Sequence, residues 1–597
     1  MKRVLYLLII GLLFACSDIK AQTPTPTPGT VPIPGVTPTP LPSPTPIATP
    51  STATLPPGTL PENLPAVPAV APNFESRIGS LPELGRVGVD LADQRSLTLN
   101  EALELAFSNN KDIEITRKNI RLAEFDLSSA RGVYEPHFTG QAYYESATVP
   151  NISFFTPSIT TVTNKSFVAN GGLQAYIPNF GTVFNASLNN DRLASTNPIS
   201  IISPQFTSNF TASITQPLLR GRSFDLNRRT IEVARRNLTL SDVQFRQRTI
   251  DIVANVQRAY WDLTYALRNL QVQRDAVRDA RAQLEHNQRL VQEGQLAPID
   301  VVATETQVAN FEQAVYDALN TVNQAENVLK NLISPERNDA IWGVSITPVE
   351  SVEVAVPATT LPAAVDLALQ NRPELEVNQV QRDINKVDQR YYRELKKPQI
   401  DLVASYTSAG IGGSLNPAFT NPLGATCAST PTLPQCNPAA VLQSVGGSGT
   451  AFTDILSNKY PTYRAGIQFN LPLFGDKTAR AQYGRSQVQG EILEDQRQQI
   501  EQTIQIDVRN ALQGVITDEA RLRAAAIARE NSERQYESER RKLDEGQSDI
   551  YRVLDRQTAL SAARSSELRA RTELNKAIAD LQRATGVTLQ ENNIKTK

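Results

Sequence analysis

Between Gly221 and Gly294 the chain runs for 72 residues without a single Gly or Pro. Those two residues are the strongest helix interrupters, so the spacing predicts one unbroken helix. At about 1.5 Å per residue it would span ~110 Å. No compact domain holds such an element; it belongs in a coiled coil or a tube wall. Val256, Leu263, Leu270, Val277, Leu284 and Val291 recur at intervals of seven, with Val253, Tyr260 and Leu267 as a companion stripe. A seven-residue period returns an apolar seam every two turns and supercoils a helix left-handedly against its neighbours.

The chain writes this pattern twice. "LNEALELAFSNNKDIEI" (Leu99–Ile115) matches "LPAAVDLALQNRPELEV" (Leu361–Val377) at an offset of 262. "TQPLLRG" (Thr215–Gly221) matches "NLPLFGD" (Asn470–Asp476) at 255, and "EGQLAPIDVV" (Glu293–Val302) matches "EGQSDIYRVL" (Glu545–Leu554) at 252. The markers keep their order, so the chain is a tandem duplication with unequal loops. In the second half Val508, Val515, Leu522, Tyr536 and Leu543 take the seam register, interrupted by Arg529.

Each half shares one internal order. A first helix (about Leu99–Tyr134 or Leu361–Leu395) leads to strands, a long helix, the "EGQ" turn and a second helix (Ile299–Ser334 or Ser548–Thr585). Gly294 and Gly546 supply the helix stops at the turns. Two short helices of ~36 residues equal one long one, so the long helix is expected to pair with two short helices meeting midway.

Between the helices, apolar and polar residues alternate with period two. In Phe206–Thr215, Phe206, Phe210, Ala212 and Ile214 oppose Thr207, Asn209, Thr211 and Ser213. Tyr463–Leu471 and Ile400–Thr407 alternate likewise, and Phe138–Tyr144 more weakly. Such segments fit transmembrane strands around a wet interior. A soluble sheet on a core is the competing reading, and the export signal beside ~100 Å helices argues against it. Two hairpins per chain imply closure by oligomerisation, because an open sheet cannot cross lipid with free edges. A further pair, Leu173–Ile177 and Val183–Asn189, leaves the strand count open between an extra hairpin and a bulged strand.

Residues 1–16 read as an export signal, with Lys2 and Arg3 before the apolar Val4–Phe14. The ending "LFACS" makes Cys16 the expected lipidated residue; the alternative is ordinary cleavage near Ile19–Gln22. Residues 17–72 form a Pro/Thr-rich linker that cannot bury a core. The first repeat follows over 73–334, a connection over 335–358, the second repeat over 359–590 and a tail over 591–597. Cys427 and Cys436 lie nine apart in a Pro/Ala/Thr-rich loop, and an exported chain favours a local disulfide there over a metal site. The formal net charge of −2 carries no clustered positive field for nucleic acid. The two histidines, His137 and His286, sit in no ligand-like cluster, and no phosphate loop appears, which argues against an enzyme.

The duplicated "EALELA…NN", "QPLLRG" with "LPLFGD", and "GQ…DVV" with "GQ…RVL" resemble the TolC-type outer membrane efflux proteins over about residues 95–590. The resemblance implies an α+β fold: an outer-membrane β-barrel of four strands per chain, twelve in a homotrimer, continuous with an α-helical tunnel across the periplasm. It implies no cofactor. It further implies a periplasmic adaptor and an inner-membrane pump or ABC transporter as partners, and a gate at the helical tips. On that pattern Asp300 matches the first tip's aspartate and Asp555 the inner of two ring aspartates in the second. Arg552 stands where the other aspartate is expected, and Asp549 lies beside it. The competing function is a structural coiled-coil protein of the envelope without channel activity.

Overall fold

The computed structural model describes residues 85–595 except 153–155, 157–158, 351–355, 422–423, 430–435, 437–444, 448 and 473–474. The export signal, Cys16 and the Pro/Thr-rich stretch lie outside the described residues. The first repeat comprises β1 (Asp90–Leu97), α1 (Leu99–Asn109), α2 (Lys111–Arg131), β2 (His137–Pro150), β3 (Thr161–Ile177), β4 (Thr182–Ser195), β5 (Ile202–Pro217), α3 (Leu226–Gln292) and α4 (Pro298–Ile333). The connection contributes β6 (Val344–Pro348). The second repeat comprises α5 (Leu361–Asn371), α6 (Pro373–Leu395), β7 (Gln399–Leu415), the short α7 (Gly424–Ser429) and α8 (Thr450–Leu456), β8 (Tyr460–Asn470), α9 (Lys477–Asp544) and α10 (Ile550–Thr585). The four-residue α11 (Thr588–Glu591) follows.

The long helices α3 and α9 span 67 and 68 residues, ~100 Å each. As the lengths imply, α3 packs against α4 along one half and against α1 and α2 along the other; α9 does the same with α10, α5 and α6. The first helix of each repeat is broken rather than continuous. At Asn110 the backbone is extended, and the side-chain oxygen accepts from the amides of Asp112 and Ile113, so one residue ends α1 and caps α2. In the second repeat Arg372 is extended before Pro373, whose ring opens α6.

The heptad seam is buried: Val256 and Leu263 are fully covered, as are Val508 and Val515 in the second repeat. The interruption at Arg529 has a cause. Its guanidinium reaches Glu567 on α10 at 2.6 Å and Glu533 on α9 at 2.9 Å, replacing apolar contact with a charge-assisted bridge. The largest core lies at the level of β1 and β6, where Leu97, Leu103, Tyr260, Leu263, Leu329 and Ile346 pack together. There β1, in the first repeat, and β6, in the connection, form a parallel two-stranded sheet that the sequence reading did not place.

The remaining strands form one sheet in the order β2-β3-β4-β5-β7-β8, antiparallel throughout. The sheet corrects the strand count: six strands among the described residues, not four. The pair left open in sequence is a full hairpin, β3–β4, inserted between β2 and β5. Gly171 and Gly172 and the polar Asn189–Asp191 run masked its length in the sequence. Opposed residues of an antiparallel pair point to the same face, so the register fixes both faces. Phe167, Leu188, Phe210, Tyr406, Tyr463 and Ile467 share one; Asn170, Asn189, Asn209, Thr407 and Arg464 share the other. From the middle of β7 outward, the apolar face becomes small at Ser408, Gly410 and Gly412. There α8 lies across it: Ser408 Oγ donates to the Ile455 carbonyl at 3.0 Å, and a Cβ on Gly410 would fall 1.8 Å from the Ala451 carbonyl oxygen. In the same outer segment a disulfide joins Cys427 and Cys436.

Candidate gate at the helical tips

Each long helix ends in the same turn. At the first tip Gly294 has φ +74°, and the Gln295 amide donates back to the Leu290 carbonyl at 2.8 Å. At the second, Gly546 has φ +74° and the Gln547 amide donates to the Lys542 carbonyl at 2.7 Å. A left-handed residue just past the helix closes this cap, and glycine adopts it without a Cβ penalty.

Beyond the turns the copies diverge. Pro298 opens α4, and Asp300 sits in its first turn, where a carboxylate complements the helix dipole. In the second tip Asp549 caps α10: its carboxylate accepts from the Arg552 amide at 3.0 Å, and Arg552 Nε stands 3.1 Å from it. Arg552 thus folds back on the cap of its own helix while its side chain stays 69% exposed. Asp555, one turn on, is 70% exposed and 3.9 Å from Arg556.

The two tips meet within one chain. Ala303 of α4 packs against Ile550, Val553 and Leu554 of α10. Gln307 Nε2 donates to Thr558 Oγ1 at 2.9 Å, and His286 Nε2 lies 3.3 Å from Asp544. The structure therefore places Asp300, Asp549, Arg552 and Asp555 at the same end of the molecule, opposite the sheet.

The sequence reading missed a polar ladder inside the first tip. Gln283 Nε2 donates to Asn287 Oδ1 at 2.8 Å, Asn287 Nδ2 donates to Thr304 Oγ1 at 2.8 Å, and Thr304 donates to the Asp300 carbonyl at 2.9 Å. All three side chains are buried. A polar pair buried in a helical seam fixes the register of the two helices. The counterparts at the 252 offset are Gln535, Glu539 and Arg556, and there the tie runs differently: Glu539 accepts from the Ser548 hydroxyl in the turn itself. That bond, with the nearby charges of Lys542 and Arg552, holds the Glu539 carboxyl below its ordinary value. Asn287→Ala should leave the buried Gln283 amide without its acceptor and Thr304 Oγ1 without its donor, costing about 1–3 kcal/mol locally. Limited proteolysis is expected to cut near Gly294 several-fold faster in this variant, with cutting near Gly546 unchanged.

Among the described residues no helix is long and apolar enough to cross a membrane. A sheet with one apolar and one polar face, continuous with paired helices of tunnel length, defines a β-barrel channel protein of the outer membrane. The chain belongs to the outer membrane efflux protein family, whose model matches residues 102–334 and 364–587, both repeats. Its place is the outer membrane, with the helical part in the periplasm. No curated protein sequence matches it. Solved structures that share the fold include the following three. One is a membrane protein from Pseudomonas aeruginosa (16% identity, TM-score 0.57, covering 82% of this chain and 92% of that one). Another is the Campylobacter jejuni CmeC outer membrane channel (15%, 0.57, 82% and 86%). The third is the open state of the Neisseria gonorrhoeae MtrE outer membrane channel (16%, 0.53, 82% and 89%).

Proposed function

We propose that three copies of this chain form a passive exit duct, leading from the periplasm to the exterior and closed at rest by the helical tips. The observation that carries this reading is the sheet: one face apolar, the other polar, and both edges unpaired among the described residues. A structural coiled coil has no use for such a face. The duct would receive cargo from an inner-membrane pump or ABC transporter through a periplasmic adaptor seated on the helices. Membership of an efflux family supports this direction of transport. Cys16, as a lipidated terminus, would add an anchor to the strand wall.

The gate falls to the tips because six turns from three chains converge there, with Asp300, Asp549 and Asp555 supplying negative charge and Arg552 the counter-charge. The unequal second tip favours an electrostatic latch centred on Arg552. Detergent-extracted protein in planar bilayers should conduct in small steps at rest. Arg552→Ala should raise single-channel conductance several-fold; an unchanged closed state would remove Arg552 from the gate. A soluble elongated dimer without conductance would instead sink the duct altogether.

A further inference from the structure

We propose that the six-stranded sheet is one third of an eighteen-stranded wall, closed by pairing β8 of each copy with β2 of the next. The inference rests on the trimeric duct proposed above and extends it to the pore's construction and width. Among the described residues β2 and β8 are hydrogen-bonded to a strand on one side only. At membrane depth such an edge needs a partner strand, since no water is present to satisfy its backbone. β2 runs away from the helices and β8 returns toward them, so the two edges meet antiparallel between successive copies.

The inserted hairpin is part of this wall rather than an appendage on it. β3 pairs with β2 from His137↔Gln174 to Pro150↔Thr161, and with β4 from Asn164↔Ser195 to Ile177↔Thr182. Its apolar and polar faces continue those of its neighbours across both seams. The turn between β3 and β4 is also seated at the helix end of the sheet, where Gln216 Nε2 donates to the Phe180 carbonyl at 3.1 Å.

The stagger of the strands fits closure. A row perpendicular to the strands begins at His137, the foot of β2, passes Gln174, Asn185, Ser213 and Ser405, and reaches β8 at Arg464. The foot of β8 is Asn470, six residues further on. Six residues at ~3.3 Å across six strands at ~4.8 Å lean the strands by about 35°, within the tilt that a closed barrel needs. Joining foot to foot, His137 opposite Asn470, preserves the inward–outward alternation. It sets Phe138 opposite Phe469 and Tyr144 opposite Tyr463 on the apolar face.

The same register brings Glu145 diagonally beside Arg464 on the polar face. These are the only carboxylate on β2 and the only cation on β8. Neither has an ion-pair partner within the chain among the described residues. The two edges are thus complementary in direction, in apolar pairs and in charge, and the occupant of each edge is a second copy of this chain.

Barrel diameter grows roughly in proportion to strand number, so eighteen strands give a bore ~1.5-fold wider than twelve. The exit would accordingly pass bulkier solutes than a twelve-stranded wall.

Two measurements test the wall. Oxidising outer membranes that carry the double variant Thr139→Cys, Gln468→Cys should give a covalent ladder ending at three chains, whereas each single variant gives none. Separately, bimane attached at Leu173→Cys and Leu188→Cys should be quenched by brominated lipid, and at Asn170→Cys and Asn189→Cys by aqueous iodide. A ladder ending at two chains, or iodide quenching at Leu173 and Leu188, would overturn the eighteen-stranded wall. If the protein still conducts in bilayers, that result leaves the duct standing and removes only the wall; loss of conductance in the unmodified chain would remove both.

Discussion

Glu326→Ala should be among the most damaging single substitutions in the helical body, costing about 3–5 kcal/mol. Glu326 is fully buried on α4 and shares its carboxylate between two cations. Arg86, just before β1, pairs with it, and Lys330, one turn along, lies 3.5 Å away. Its other oxygen accepts from the Ile346 amide of β6 at 2.7 Å. Arg86 also donates to Ser345 at 2.9 Å and to Asn323 at 3.0 Å, while Lys330 Nζ donates to the Trp342 carbonyl at 3.1 Å. Removing the carboxylate leaves two buried like charges facing each other and unties β6 from α4. Thermal unfolding of the purified protein followed by circular dichroism reads the loss; a shift of a degree or less would contradict it.

The same cluster gives the loss a pH signature. Burial, and then the charge of Arg86, lower the Lys330 ammonium to about 8 from its ordinary 10.5. Between those values the unfolded chain holds a proton that the folded chain has released, so stability rises with pH across that window. Without Glu326 the folded chain should release that proton at still lower pH. The deficit of the variant should therefore shrink as the pH is raised from 7 toward 10.

The second large effect concerns the sides of the sheet. Phe210→Arg places a cation on the apolar face of β5, with an expected cost of ~2–4 kcal/mol at mid-membrane depth. Asn209→Arg, one residue away on the polar face, should insert and fold as well as the parent chain. Outer-membrane yield of the folded oligomer separates them: the first variant should fall at least several-fold, the second should not. Equal yields would mean that the apolar face does not meet lipid.

These particulars show what the sequence made legible. The tandem duplication, the two long helices, the buried heptads and the glycine turns were readable because period and punctuation are local properties. Four of the six sheet strands were readable for the same reason. The β3–β4 hairpin stayed ambiguous because glycines and asparagines interrupt its alternation, and only pairing with its neighbours shows which residues share a face. Glu326 and Lys330 have the i,i+4 spacing of any solvated ion pair; their buried partners are Ile346, Trp342 and Arg86, the last some 240 residues away in sequence. Asn287 and Thr304 lie on different helices, so nothing in either segment marks them as partners. Arg529 was visible as a break in the seam, yet its reason, Glu567 on the returning helix, is a contact between elements.

At the tips, the shared letters of the two "EGQ" stretches build the turns, and the unshared ones place an exposed arginine, paired with the Asp549 cap, on one tip only. That asymmetry is what the gate proposal rests on. Single-particle imaging of the detergent-extracted protein tests the central account most directly. The expected particle has three-fold symmetry, a strand cylinder at one end and a helical tube of ~100 Å at the other, with the tube narrowing at its free end. A two-fold rod of helices without a strand cylinder would contradict it.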